Sequence, residues 1–342
     1  MKVRQVAEEL GVRYVLGGTV QIAGDTMRIT VQLIDAISGY HEWAEHYDRN
    51  LNDIFELQDE ITRKIITSLQ IQLTEGEYAR LVGRTTSNLK ALEYFWRAEH
   101  YSLRGNKEDN DLARQWIEKA IELDPKFATA WALLGWIVHR GFKWGWGESS
   151  LQSVDRAEEY AQKAIALDSS NSKAYGLLSD IRLYQQDYDK AVEYGKKAVA
   201  LSPSDPHWHV TLASKLMYFG NHEEAYPHIK TAMRLSPFPP AYFFDFLIMA
   251  CFLTRRYDEG ISAAKQLLDL CQKGEYPSYW VNFYLIPIYS ELGQDELARS
   301  NVAELLRLNP NYRLENIARV LPFKNKFDLE RFLSAFKKAG LK

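Results

Sequence analysis

Two stretches decide how this chain folds, "DKAVEYGKKAVALSP" at residues 189–203 and "EEAYPHIKTAMRLSP" at residues 223–237. They align without a gap, and both carry alanine at the third and tenth places. Apolar side chains recur every three or four residues, which predicts helices. The small residues let two helices approach closely, and the closing proline stops the second helix. The pair of stretches therefore predicts repeated helical hairpins.

The same ending returns along the chain and sets the number of repeats. "LDP" stands at residues 123–125, "LDS" at 167–169 and "LNP" at 308–310. This pattern resembles the tetratricopeptide repeat, a unit of about 34 residues formed by two antiparallel helices. The resemblance implies an all-α array of six units, at residues 91–125, 128–169, 172–203, 206–237, 241–272 and 279–310.

The third and fourth units follow the family's pattern closely. That pattern has a large residue, a leucine and a small residue in the first helix, two alanines in the second, and a final proline. The fifth unit departs from it, because Gly260 stands where the first alanine belongs. In the third unit the matching residues are Tyr175, Leu178, Ser179, Ala191, Ala198 and Pro203.

The second unit carries an insertion, predicted at residues 141–150 between its two helices. Its sequence, "GFKWGWGESS", contains Phe142, Trp144 and Trp146. In one interpretation these rings cover apolar surface on neighbouring helices, and the glycines permit the tight path. In the other interpretation they form an aromatic lip beside a binding groove, since exposed tryptophans are costly without a partner.

Residues 1–75 do not repeat and predict a small α/β domain. "RYVLGGTVQI" and "TMRITVQLID" read as strands around a tight turn, and "YHEWAEHYDR" reads as a third strand. In "TMRITVQLID" apolar and polar residues alternate, which predicts one buried face. A long amphipathic helix is expected at residues 51–73, followed by a linker at residues 76–90. The predicted fold class is α+β, a small partial α/β domain followed by an all-α solenoid. An open edge on so small a sheet invites pairing, so we expect the long helix or a second copy of the chain to cover it.

A second resemblance rests on residues 6–61, which run from "VAEELGVRYVLGGTVQI" to "YDRNLNDIFELQDEI". They are similar to the TolB-like amino-terminal domain that precedes tetratricopeptide repeats in many bacterial proteins. That family usually has glutamate where Gly17 stands. Its domain also normally begins earlier, with a strand, a helix and another strand, so a partial domain is expected here.

The resemblance implies a regulatory setting. Such proteins are often class III adenylate/guanylate cyclase homologues or winged-helix transcription regulators, with the catalytic or DNA-binding domain upstream. The ending "VLPFKNKFDLERFLSAFKKAGL" looks like the usual end of such an array, and residues 311–342 are expected to form capping helices. The metal-binding aspartates of a cyclase domain do not stand in this chain, so we expect it to have no cyclase activity.

Composition and motifs argue against several classes of function. A net charge of −3 disfavours nucleic-acid binding by this chain, and two cysteines exclude a disulfide framework. No apolar run approaches the roughly 18 residues of a membrane span. The P-loop, HExxH, CxxC and GxSxG motifs are absent, and the histidines at 207, 209, 222 and 228 lack a companion ligand at useful spacing. We therefore expect no catalytic, cofactor or metal site.

The inner face of the array is the candidate for binding a partner. Repeat register places mainly apolar and aromatic residues there, which suits a helix or an apolar peptide. The alternative is that these residues belong to the core, or that the chain's own end fills the groove. The predicted groove residues are Trp136, His139, Leu183, Val210, Met217, Tyr242, Met249, Phe252, Trp280 and Phe283.

These observations predict a non-enzymatic protein–protein interaction module. It would bind a protein or peptide partner through the groove, or a second copy of itself through the sheet edge. The rival hypothesis is a regulatory fragment of a nucleotide cyclase or of a transcription regulator. The expected location is the cytoplasm, or the periplasm if an upstream part is anchored in a membrane.

Overall fold

A computed structural model divides the chain into two compact units, Met1–Asn171 and Ser172–Lys342. Predictions for residues 66–85 and 147–150 lie outside the described part of the chain. The described residues are 5–7, 12–36, 38–50, 53–54, 57–58, 60–61, 64–65, 86, 88–102, 104, 106–146, 151–236, 238–273, 276–315, 317 and 321–341.

An antiparallel sheet opens the first unit, with strands β1 (Tyr14–Ala23), β2 (Thr26–Asp35) and β3 (His41–Asn50) in that order. The alternation predicted for β2 is confirmed, because Met27 and Val31 are buried on one face. They pack with Tyr47 of β3 and with helical residues that follow β3, among them Leu57.

The β1 side of the same face stays open. Every second residue of β1 pairs with a residue on the buried face of β2, so the side chains of these β1 residues lie on that same face. The described part of the predicted long helix packs against β2 and β3 through Ile54 and Leu57. The expectation that this helix covers the edge is therefore wrong for its described residues. The open β1 side chains are Leu16, Val20 and Ile22, at 48%, 62% and 62% exposed.

Six helical hairpins follow among the described residues, and in each of them the two helices pack together. The first unit holds hairpin 1, α1 (Leu89–Ser102) with α2 (Lys107–Leu123), and hairpin 2, α3 (Ala128–Lys143) with α4 (Leu151–Leu167). The second unit holds hairpins 3 to 6 and a further helix: α5 (Ser172–Tyr184) with α6 (Tyr188–Leu201), α7 (Pro206–Phe219) with α8 (His222–Leu235), α9 (Ala241–Leu253) with α10 (Tyr257–Gln272), α11 (Tyr279–Glu291) with α12 (Asp295–Leu308), and α13 (Lys326–Lys338). The expected fold class, a small sheet followed by a helical repeat array, is confirmed.

Small residues stand where helices come closest. Ala191 and Ala198 of α6 are fully buried, as are the corresponding alanines of α8. Gly260 explains the departure in the fifth unit, since a Cβ there would lie 2.8 Å from Cδ1 of Ile288. The isoleucine of the next hairpin already fills the space that an alanine methyl would need.

Gly176 of α5 makes the tightest such contact with a side chain of a neighbouring hairpin. A Cβ at this position would lie 2.4 Å from Cζ3 of Trp208, whose side chain is buried. The glycine therefore allows the indole ring to pack directly against the helix backbone.

Replacing Gly176 with alanine should lower the free energy of unfolding by about 1–3 kcal/mol, as overpacking does. In a Trp208→Ala background the same change should stabilise the chain by about 1 kcal/mol, because alanine favours the helix and the clash is gone. Urea unfolding of the two single variants and the double variant measures this coupling. If the effects of the two substitutions on the free energy of unfolding simply add, the contact with Trp208 is not what requires glycine at position 176.

Candidate partner-binding surfaces

The predicted groove residues divide into buried and half-buried side chains. Trp136, Tyr242 and Trp280 are half-buried. The other seven offer almost no surface, so the expectation that they line an open groove is corrected. In the second unit the first helices of successive hairpins pack against one another, which places the six of these side chains that belong to this unit in the core. The buried seven are His139, Leu183, Val210, Met217, Met249, Phe252 and Phe283, each between 1% and 7% exposed.

In the second unit, α13 occupies the apolar surface that Phe252 and Phe283 form. The ring of Phe332 lies 5.4 Å from that of Phe252 and 5.6 Å from that of Phe283. Phe336 lies 5.1 Å from Phe283, and both α13 rings are fully buried. The sequence left open whether a partner or the chain's own end occupies the groove. At Phe252 and Phe283 the chain's own helix α13 occupies it.

Arg331 holds α13 to two hairpins at once. Its guanidinium forms a bidentate ion pair with Glu291, at 2.9 and 3.0 Å. It also donates to the carbonyl oxygen of Phe252 at 3.1 Å and to the hydroxyl of Tyr257 at 2.9 Å. The Arg331 ion pair holds the pKa of Glu291 below its ordinary value. The sequence analysis missed Arg331, because nothing in its spacing marks its partners.

Two buried polar groups lie among the aromatic residues of the second unit. Lys215 pairs with Asp180 at 2.5 Å, and the lysine side chain is 3% exposed. Asp245 accepts a hydrogen bond from the hydroxyl of Tyr276 at 2.5 Å, and its other oxygen has no hydrogen-bond partner among the described residues. Burial raises the pKa of Asp245 to about 8. The sequence offered a signal for it, since Asp245 is the one charged residue in "AYFFDFLIMACFL".

The histidines do not form a metal centre. His209 and His228 approach through their Nδ1 atoms at 3.0 Å, and Nε2 of His209 lies 2.9 Å from the carbonyl oxygen of Pro203. Burial lowers the pKa of His228, with the His209 ring beside it as a second cause. Within the described ranges, no three His, Cys, Asp or Glu side chains converge in a way that could hold a metal ion.

The predicted insertion begins later than expected. Helix α3 continues through Lys143, so the first three residues of the inserted sequence are helical. Gly141 does not break the helix; it is buried, and a Cβ there would lie 3.5 Å from Nδ2 of Asn110. The ring of Trp144 stacks on that of Trp146 at 6.1 Å. Trp144 is 52% exposed and so does not pack closely against its own helices, whereas Phe142 and Trp146 are half-buried and stay compatible with the packing interpretation.

Comparison with known proteins identifies the repeats. A family model described as "Tetratricopeptide repeat" matches residues 142–206, and a second one of the same description matches residues 102–127. The helical part of the chain therefore contains tetratricopeptide repeats.

One relative and two solved structures illustrate the likeness. "Putative adenylate cyclase 3" of Rhizobium meliloti (strain 1021) is 38% identical over 177 residues, which are 52% of this chain and 30% of that protein. The match thus spans under a third of the relative's length. The APC/C hetero-tetramer Cut9-Hcn1 aligns with a TM-score of 0.51 at 19% identity, over 79% of this chain and 54% of that one. Pseudomonas aeruginosa pilF aligns at 0.45 and 22% identity, over 65% and 93%. These structures show similarity of fold alone.

No helix in the described part of the chain is both long enough and apolar enough to cross a membrane.

Asp245 should make stability depend on pH. Its carboxyl group has a pKa of about 8 in the folded chain, against about 3.9 in an unfolded one. Between these values the folded state binds a proton that the unfolded state has lost, so this group's contribution to stability falls as pH rises. The Asp245→Asn variant should not show that loss, so its stability relative to wild type should rise by on the order of 5 kcal/mol between pH 4 and pH 8.

Thermal melts of wild type and variant across this pH range measure the difference. Asp269→Asn, at an exposed position of α10, is the control. Its effect on the melting temperature should be the same at both ends of the pH range. A constant difference between Asp245→Asn and wild type would contradict a proton bound at this carboxyl group.

Proposed function

We propose that this chain is a non-enzymatic protein-interaction module. The observation that carries the proposal is the exposed ring of Trp144 at the end of α3, which stacks on the half-buried ring of Trp146. Tryptophan is enriched among the residues that dominate binding energy at protein interfaces. Trp96 of α1, 58% exposed, adds a second large apolar surface on the same unit. Tetratricopeptide repeats bind protein or peptide partners, so we propose that a protein or peptide covers these exposed tryptophans.

The proposed partner surface differs from the groove predicted by repeat register. In the second unit α13 already covers Phe252 and Phe283, whereas Trp144 stands open to solvent. We therefore place first contact with a protein partner at the end of α3. In the described sheet β1 is an edge strand and carries no charged residue, which supports the further proposal of a homodimer, because such edges readily pair. We propose no nucleic-acid partner, because the net charge of the chain is −3.

Trp144→Ala should weaken binding of a captured partner by about 2 kcal/mol or more, while the free energy of unfolding changes by about 0.5 kcal/mol or less. The partner would be identified by cross-linking to the purified chain and then titrated against each variant.

Trp131→Ala is the matched control. Its indole donates to the carbonyl oxygen of Pro125 at 2.9 Å and lies beneath the ammonium group of Lys163 at 3.5 Å. This variant should lower stability and leave partner affinity nearly unchanged. Unchanged binding by Trp144→Ala would remove the support for a recognition surface at the end of α3.

A second candidate function is regulation of an adenylate or guanylate cyclase. It is favoured by the 38% identity to the Rhizobium meliloti protein and by the TolB-like resemblance of residues 6–61. In that setting the chain would be a cytoplasmic regulatory segment acting on a catalytic domain. A winged-helix transcription regulator is the other setting that the same resemblance supports.

The purified chain should produce no cyclic nucleotide from ATP or GTP with Mg²⁺ or Mn²⁺, since none of its motifs supplies metal ligands. Product formation can be followed by chromatography. Turnover that disappears on a point mutation within this chain would overturn the non-enzymatic assignment. A change in the Rhizobium meliloti protein's activity when this chain is added would favour the cyclase setting.

A further inference from the structure

Helix α13 packs mainly against α11 of hairpin 6, and it also reaches the two hairpins before it. Its N-terminal end reaches hairpin 4, where Asp328 lies 3.2 Å from His222. Its middle reaches hairpin 5 through Arg331 and the carbonyl oxygen of Phe252. Its C-terminal end reaches hairpin 6, where Lys338 pairs with Asp295 at 2.8 Å. The helix thus lies across three hairpins, near the ends of their first helices.

This arrangement is that of an amphipathic helix bound in a groove. Phe332 and Phe336 are one turn apart and enter the apolar surface together, with rings 5.2 Å from each other. Charged side chains surround these anchors, and the most enclosed of them are Asp328 at 6% and Arg331 at 11% exposed. An aromatic pair in a desolvated pocket with a polar rim is how helical ligands are held by groove-shaped partners.

The N-terminal end of α13 is less well packed and hydrogen-bonded than the part of the helix that carries the two phenylalanines. His222 and Asp328 approach within ion-pair distance, yet Nε2 of His222 and Oδ2 of Asp328 are buried without a hydrogen bond among the described residues. Phe327, in the same turn, is 66% exposed. Buried polar atoms that lack hydrogen bonds weaken the association of the segment that buries them.

We infer that the surface under α13 is a helix-binding groove whose resident helix is exchangeable, and that it fits a partner's amphipathic helix carrying an acidic residue, then Arg-aromatic, then a second aromatic residue one turn later. This inference rests on the proposed interaction function and names a second surface for it. The resident sequence "DLERFLSAF" at residues 328–336 defines that chemistry. A partner helix would take the places of Phe332 and Phe336 and pair its arginine with Glu291.

Hydrogen exchange of the wild-type chain tests whether α13 leaves the groove. An exchangeable helix opens without global unfolding, so its amides should exchange roughly tenfold or more faster than those of α9 and α11. Equal exchange rates for α13 and α11 would show that α13 is an integral part of the fold and would overturn the inference.

Binding of a fluorescent peptide with the sequence of residues 321–341 tests the groove itself. The full chain carrying Phe332→Ala and Phe336→Ala should bind this peptide roughly tenfold or more tightly than wild type, because its own helix competes less. Arg331→Glu in the peptide should weaken binding by about tenfold or more, whereas Lys337→Glu, at an exposed position of α13, should not.

Each other result decides against the inference. If the Arg331→Glu peptide binds as tightly as the wild-type peptide, the peptide does not bind in this groove. A double variant that loses its helical circular dichroism would show that α13 is required for folding. Dimers formed by exchange of α13 would make a second copy the occupant instead of a partner. The proposed function is judged separately, since Trp144-dependent partner binding is measured on the other unit.

Discussion

Close approach of paired helices is the constraint on which the rest of this structure depends. Two helices can share a seam only where neither carries a bulky side chain, and the fully buried alanines of α6 and α8 satisfy that condition at equivalent places in each hairpin. Where the partner contributes a large side chain, the seam residue becomes glycine, as Gly176 does beneath Trp208. The packed hairpins in turn carry Phe252 and Phe283, the rings that α13 covers.

The second unit joins a binding surface and its occupant in one chain. Phe252 and Phe283 belong to the repeats, and Phe332 and Phe336 belong to the segment that follows them. Arg331 then links the carbonyl oxygen of one hairpin to the carboxylate of the next. In the first unit the described residues leave Trp144 open, so the two units offer different chemistry to a partner: one presents exposed rings, and the other presents a groove that already holds a helix.

The sequence was sufficient for the fold because the fold is periodic. The repeated alanines and the alternation in β2 each report a local packing requirement, and both were read correctly. Repeat register also shows which face of a helix turns inward, but not what lies over that face. For this reason Phe252 and Phe283 were expected in an open groove, whereas a helix many residues later in the chain covers them. The contacts of Arg331 are likewise long-range and leave no trace in local spacing.

Two further differences have local physical causes. Gly141 was interpreted as part of a loop, yet a helix tolerates glycine where a neighbour comes close, and Asn110 does so here. Asp245 was overlooked because a single acid in an apolar helix carries no motif. Its significance comes from burial, which only the packed structure reveals.

The position of α13 in the chain also bears on how the second unit forms. In an ordinary repeat array each hairpin touches only its neighbours, so folding can spread from one to the next and stop at any boundary. Here one late segment fastens hairpins 4, 5 and 6 together. During synthesis the aromatic surface of those hairpins leaves the ribosome before the helix that shields it. Nascent chains would therefore pass through a stage in which the apolar surface of these hairpins is exposed, until α13 is synthesised and covers it.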